Sequence, residues 1–138
     1  MSVAREAVDR LGSAFLSGDA DTVLGEFAPT EEVLYSGSEP GEVAVGRTAL
    51  RALLGDLLSR DERYSWQAGA IHEVATGSQL HVVAEGELTV HVPAADGWRA
   101  QERLPYRVSG VLERGAATAP EWRWRSCFGS EPAPASSD

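Results

Sequence analysis

At 138 residues, with 43% apolar and 24% charged residues, the chain suits one domain that can bury a core without staples. A formal charge of −9 opposes nucleic acid and anionic membrane surfaces, and no run approaches the ~20 apolar residues of a membrane span. The single cysteine, Cys127, cannot close an internal disulfide, and Arg5, Glu6, Asp9 and Arg10 break any signal-like apolar run, so the expected compartment is the cytoplasm.

Val3 to Leu16 places Ala4, Ala7, Val8, Leu11, Ala14 and Phe15 at helical spacing, which predicts an amphipathic helix ending at Ser17-Gly18. Asp19 suits the N-cap of a second, shorter helix from Ala20 to Ala28, stopped by Pro29. Val33, Leu34 and Tyr35 form a short extended run, and Gly37-Ser38-Glu39-Pro40-Gly41-Glu42 follows as a polar loop. Gly46-Arg47-Thr48 opens a third helix reaching Ser59, whose apolar stripe is Leu50, Leu53, Leu54, Leu57 and Leu58.

From Tyr64 the hydrophobic period becomes two. Tyr64 to Ala75 and Gln79 to Val92 read as strands joined at Gly77-Ser78. In the second of them Leu80, Val82, Ala84, Leu88, Val90 and Val92 share a face, with Gly86 as a bend or bulge. After a turn at Pro93 to Gly97, the chain runs up to Arg114 and returns, across Gly115 to Glu121, as Trp122 to Ser130. That last run alternates, with Trp122, Trp124, Ser126 and Phe128 on one face and Arg123, Arg125 and Cys127 on the other. Residues 1–130 read as a single domain and 131–138, rich in Pro, Ala and Ser, as a flexible tail. Helices first and strands last predict an α+β fold, with three helices on one face of a strongly curved, mainly antiparallel four-stranded sheet plus a short extra strand.

This order resembles the SnoaL-like, or nuclear transport factor 2-like, superfamily over residues 3–132. Phe15-Leu16-Ser17-Gly18-Asp19, Gly46-Arg47-Thr48-Ala49-Leu50, and Trp122-Arg123-Trp124 running into Gly129-Ser130 carry the likeness. The resemblance implies a cone whose helices cap the sheet around a pocket, and a homodimer formed through the outer sheet face. The superfamily hosts isomerases, cyclases, hydrolases, dehydratases and pure binders, so function rests on the site residues. The ketosteroid isomerase pattern falls on Leu11, on Leu34 or Tyr35, and on Arg107, which lacks its tyrosine and both of its aspartates. The limonene-epoxide hydrolase pattern keeps only Arg107, with Ser109, Ser126 and Phe128 where carboxylates would be needed. No steroid isomerase activity is expected, and rapid Δ5-to-Δ4 conversion of an androstene would contradict this.

Three residues remain as candidate catalytic groups. Tyr35 can donate a hydrogen bond to a developing oxyanion, or simply cap the cone as a half-buried aromatic. Glu39, with Glu42 beside it in the loop, can serve as a general base or stay solvated. Arg107 either faces the pocket, where it must pair with a mouth glutamate or a ligand carboxylate, or faces outward and pairs with Glu85 or Glu87. Val82, Ser109, Trp124, Ser126 and Phe128 are the candidate ligand-binding residues, with Trp124, Phe128 and Val82 as an aromatic and apolar wall. His72, His81 and His91 lack metal-ligand spacing, and no Gly-rich phosphate loop or nucleotide fingerprint occurs, so neither metal nor cofactor is expected. The expected ligand is a small apolar or aromatic molecule. Three readings stand: a cofactor-free isomerase, cyclase or dehydratase; a non-catalytic ligand-binding or sequestering module; and a structural dimer whose cavity is filled.

Overall fold

The structure, a computed structural model, describes residues 2–115 and 121–132. Helix α1 spans Val3–Ser17; Ser2 caps it by accepting from the Arg5 N–H at 3.1 Å, and Gly18 closes it at φ 74. Helix α2 is shorter than its sequence pattern predicts, Ala20–Leu24 rather than Ala20 to Ala28. The reason is competition for backbone: Ala28 N–H donates to Trp124 O and Trp124 N–H to Glu26 O, both at 2.9 Å, so the chain after Gly25 is drawn into a bridge with a strand. Arg47 donates to the Phe27 and Ala28 carbonyls at 3.3 and 2.9 Å and holds that exit in place.

Helix α3 spans Arg47–Leu58, and its N-cap, Gly46, offers no side chain. Glu31 substitutes from the preceding loop: its carboxylate accepts from Thr48 N–H at 3.1 Å and from the Thr48 hydroxyl at 3.2 Å. Glu31→Ala is therefore expected to lower stability by about 1 kcal/mol, the ordinary loss of a cap. A urea midpoint unchanged from the parent would refute that role.

The strands are β1 Leu34–Ser36, β2 Val43–Val45, β3 Arg63–Thr76, β4 Gln79–Ala94, β5 Gly97–Arg114 and β6 Trp122–Ser130. They form one six-stranded mixed sheet in the order β2-β1-β6-β5-β4-β3, with β1 parallel to β6 and every other pair antiparallel. This corrects the four-stranded sheet with one extra strand. The extra strand is β1, and the strand not read is β2, whose three residues carry too little alternation; it lies just past the polar loop that hairpins it onto β1, where Gly37 N–H donates to Glu42 O at 2.7 Å. The connection over residues 116–120 and the tail over 133–138 lie outside the described residues.

The helices cover the inner face of the sheet. Trp124, Phe27, Leu50, Leu54, Leu112, Val8 and Val23 are fully buried there, and Phe27 meets Tyr35 edge-on at 6.2 Å between ring centroids. Among the described residues, no helix is long and apolar enough to cross a membrane.

One irregularity decides what faces inward. Val111 pairs with Ser126 but Leu112 pairs with Trp124, so Arg125 is an extra residue in β6, a β-bulge. Past the bulge the faces exchange: Trp124 and Cys127 both point into the domain, and Ser126 and Phe128 point out. Gly110 allows this close packing, since a Cβ there would lie 2.8 Å from the Ser126 carbonyl carbon and 3.0 Å from Cys127 Cα. Two further register shifts occur: one on β3 between Ala68 and Ile71, beside Gly86's partner rather than at Gly86 itself, and one between β4 and β5 at Val90 and His91.

Candidate functional site

Helix and sheet do not meet everywhere. Between α1, the end of α3 and strands β3 to β6 lies a cavity of about 490 Å³, within the size range of small-molecule sites. Val8, Leu11 and Phe15 of α1 and Leu57 of α3 wall one side; Trp66, Leu88, Val90, Leu104 and Val108 of the sheet wall the other. Tyr35, Tyr64 and Tyr106, which are all three tyrosines of the chain, line it, as do Cys127 and Gly129. The loop residues Ser38, Glu39, Pro40 and Glu42 border it together with Arg60, Glu62, Glu102 and Glu131.

No protein-family model matches the chain, and no curated protein matches it. Solved structures do. A candidate dehydratase of the NTF2-like family from Streptomyces avermitilis superposes with a TM-score of 0.73 at 17% identity, covering 95% of each chain. The chain has the nuclear transport factor 2-like fold. ActVI-ORFA from Streptomyces coelicolor matches at TM-score 0.72 and 14% identity over 94% of each chain. A ketosteroid isomerase-like protein from Erwinia carotovora atroseptica matches at 0.66 and 20% identity, covering 96% of this chain and 95% of that one.

Within this NTF2-like cavity the titratable groups share one property. Burial pushes the Tyr35 phenol well above its ordinary value, and the nearby Cys127, Tyr106 and Glu42 add to that shift. Tyr64 is pushed up to about 12 by burial and by Glu62, whose Oε1 accepts from its hydroxyl at 2.9 Å. Tyr106 is raised by burial, partly offset by a hydrogen bond with Ser38. Burial alone raises the Cys127 thiol to about 12. At neutral pH the interior therefore holds protonated, uncharged donors and neither a thiolate nor a phenolate. Tyr64 and Tyr106 have protein partners, whereas no hydrogen bond to the Tyr35 hydroxyl forms among the described residues.

The charged groups sit around this interior. Glu42 keeps only 12% of its side chain exposed; it accepts from Glu39 N–H at 3.1 Å and lies 4.0 Å from the Arg60 guanidinium. It thus combines shelter with fixed geometry, as a positioned base requires.

Of the residues singled out from sequence, Tyr35 and Glu39 line the cavity. Arg107 does not: it pairs in register with Glu85 on the outer face, its guanidinium 4.0 Å from that carboxylate, while its neighbours Tyr106 and Val108 take the inner face. Of the two placements open to it, the outward one is realised, and the pocket cation has to be given up. Ser109, level with Val83 and Phe128, is also outside. Ser126 and Phe128 are turned outward by the Arg125 bulge. Val82 and Trp124 do point inward but are packed into the core at 3% and 0% exposure, and neither lines the cavity. The aromatic wall is Trp66 with the three tyrosines instead.

Tyr64, Trp66 and Cys127 were missed as lining residues. Tyr64 and Trp66 stand two apart on a strand, so one inward position implies the other, and a chain with only three tyrosines invites asking where they converge. Cys127 had no such signal, because the bulge that turns it inward is not written as a turn or a proline. The histidines sit elsewhere, each with a polar partner: His72 with Glu85 at 3.2 Å, His81 with Thr76 at 3.0 Å and His91 with Ser65 at 2.8 Å.

Proposed function

We propose that this protein binds a small, largely apolar molecule in the cavity and holds an acceptor oxygen of it on the Tyr35 hydroxyl. The observation that carries this reading is the Tyr35 phenol, a largely buried side chain whose hydroxyl makes no hydrogen bond to the described residues, at the wall of an apolar cavity. A ligand oxygen would give that hydroxyl a partner, and Trp66 Nε1, buried on the same wall without a hydrogen-bond partner among the described residues, is a second donor there. Tyr106 stands close enough to act on the same phenol electrostatically, and it supplies a second hydroxyl to the same space.

The finer reading is catalysis without a cofactor: isomerisation, cyclisation or dehydration. Glu42 would take a proton from a carbon next to a carbonyl, and Tyr35 would stabilise the oxyanion that forms. The solved neighbour described as a candidate dehydratase supports this reading. The second reading, a non-catalytic binder, is favoured by the inner groups themselves, all weak acids held protonated.

Titration with a panel of apolar ketones and lactones tests both readings. Tyr35→Phe is expected to weaken the best binder by about tenfold, the worth of one buried hydrogen bond, and Leu104→Trp to abolish binding by filling the space. Glu42→Gln should stop turnover while sparing affinity if the protein is an enzyme. Affinity equal to the parent's in both Tyr35→Phe and Leu104→Trp would remove the cavity from the account.

The proposed partner in solution is a second copy of the chain. Val45, Leu34, Ser126 and Val111 stand level across the outer sheet face, and Val83 stands level with Ser109 and Phe128. Leu34, Val45 and Val83 are 38%, 75% and 39% exposed there, a large apolar surface for a free sheet face. Val83→Glu is expected to convert a dimer to monomer in sedimentation; a parent that already sediments as a monomer would contradict it.

A further inference from the structure

Resting on the small-molecule-binding reading above, we propose that the cavity sorts ligands by charge. It takes an uncharged or amine-bearing apolar molecule that presents a carbonyl oxygen to Tyr35. It turns away molecules of the same shape that carry a carboxylate or sulfonate.

Three placements lead there. First, the cation that would welcome an anionic ligand is outside: Arg107 pairs with Glu85 on the far face of the sheet. Second, the titratable groups of the inner wall, Tyr35, Tyr64, Tyr106 and Cys127, hold their protons, so they offer hydrogen bonds and no counter-charge. Third, among the described residues five carboxylates border the cavity, Glu39, Glu42, Glu62, Glu102 and Glu131, against one guanidinium, Arg60, which already stands 4.0 Å from Glu42. A cleft lined by one sign of charge focuses its field and raises the local concentration of ligands of the opposite sign. An anion would have to pass that border and shed its water where no cation replaces it, whereas a carbonyl needs only the donor Tyr35 offers.

The acidic border alone would be an ordinary solvated rim. What makes it a filter is the apolar cavity behind it and the buried hydroxyl within.

A matched pair of probes tests the proposal: 2-(hydroxymethyl)anthraquinone and anthraquinone-2-carboxylate share ring and quinone oxygens and differ in charge. Binding is read at low salt by quenching of tryptophan fluorescence, since Trp66 lines the cavity. The uncharged probe is expected to bind at least ~10-fold more tightly. Adding sodium chloride should narrow the gap, because the border charges are screened. The triple variant Glu39→Gln, Glu102→Gln, Glu131→Gln, confined to exposed positions and checked for fold by circular dichroism, should narrow it in the same direction. Equal or tighter binding of the carboxylate at low salt, or a gap that neither salt nor the triple variant moves, overturns charge selection and leaves the binding reading intact. Binding of neither probe overturns both.

Discussion

Raising the pH from 9 to 12 is expected to remove roughly 3 kcal/mol of stability through Cys127 alone, as its thiol pKa moves from 9.0 in the unfolded chain to about 12 in the fold. The sign follows from which state gives up its proton first. The unfolded thiol ionises near pH 9 while the buried one stays protonated, so above that pH the unfolded state binds fewer protons and stability falls as pH rises. The contribution is whole below about pH 9 and gone once the pH passes the folded value of about 12. Tyr35 and Tyr106, raised by burial, act in the same direction from about pH 10 upward. Urea midpoints at pH 8, 9.5 and 11 measure the slope. Cys127→Ala should flatten the part between pH 8 and 9.5, where the phenols of the unfolded chain are still mostly protonated. An alkaline limb identical in that variant would mean that Cys127 is not buried as described.

Gly110→Ala is expected to cost more than about 3 kcal/mol, a loss at the upper end of what overpacking does. The atoms in the way of the new methyl are backbone: the Ser126 carbonyl and Cys127 Cα on the neighbouring strand. No side chain can swing aside, so β5 and β6 must separate at the bulge that turns Cys127 and Gly129 into the cavity. Gly129→Ala is the informative contrast. There the obstacle is the Tyr106 hydroxyl, a movable group, so the fold should survive better while the ring is displaced within the cavity. Urea denaturation of both variants separates the cases; a Gly110→Ala midpoint within error of the parent would refute the close approach.

The bulge also explains what was legible in the sequence. Long elements were: five apolar positions at helical spacing in α3 and six at strand spacing in β4 gave the helices, the four long strands and the inner face of β4. Alternation assumes an unbroken period of two, and one inserted residue, Arg125, inverts everything after it. Ser126 and Phe128 were therefore assigned to the wrong side, and Cys127 with them. Arg107 was a different case. Tyr106 and Val108 competed with it for the inner face, and only pairing with Glu85 and Ser130 fixes which wins. Tyr35, just before the polar loop, and Glu39, within it, could be placed because the resemblance implies a cone with that loop at its mouth. Strand β1 was read as the short extra strand, whereas β2 buries only its central Ala44, which is too little for a pattern to register.

Native mass spectrometry of the protein purified from its own host tests the central claim most directly. An open cavity with a waiting hydroxyl predicts that the chain carries one small apolar molecule, released on denaturation and absent from the Leu104→Trp variant. A bare chain mass that persists after incubation with the host's organic-soluble extract would contradict it.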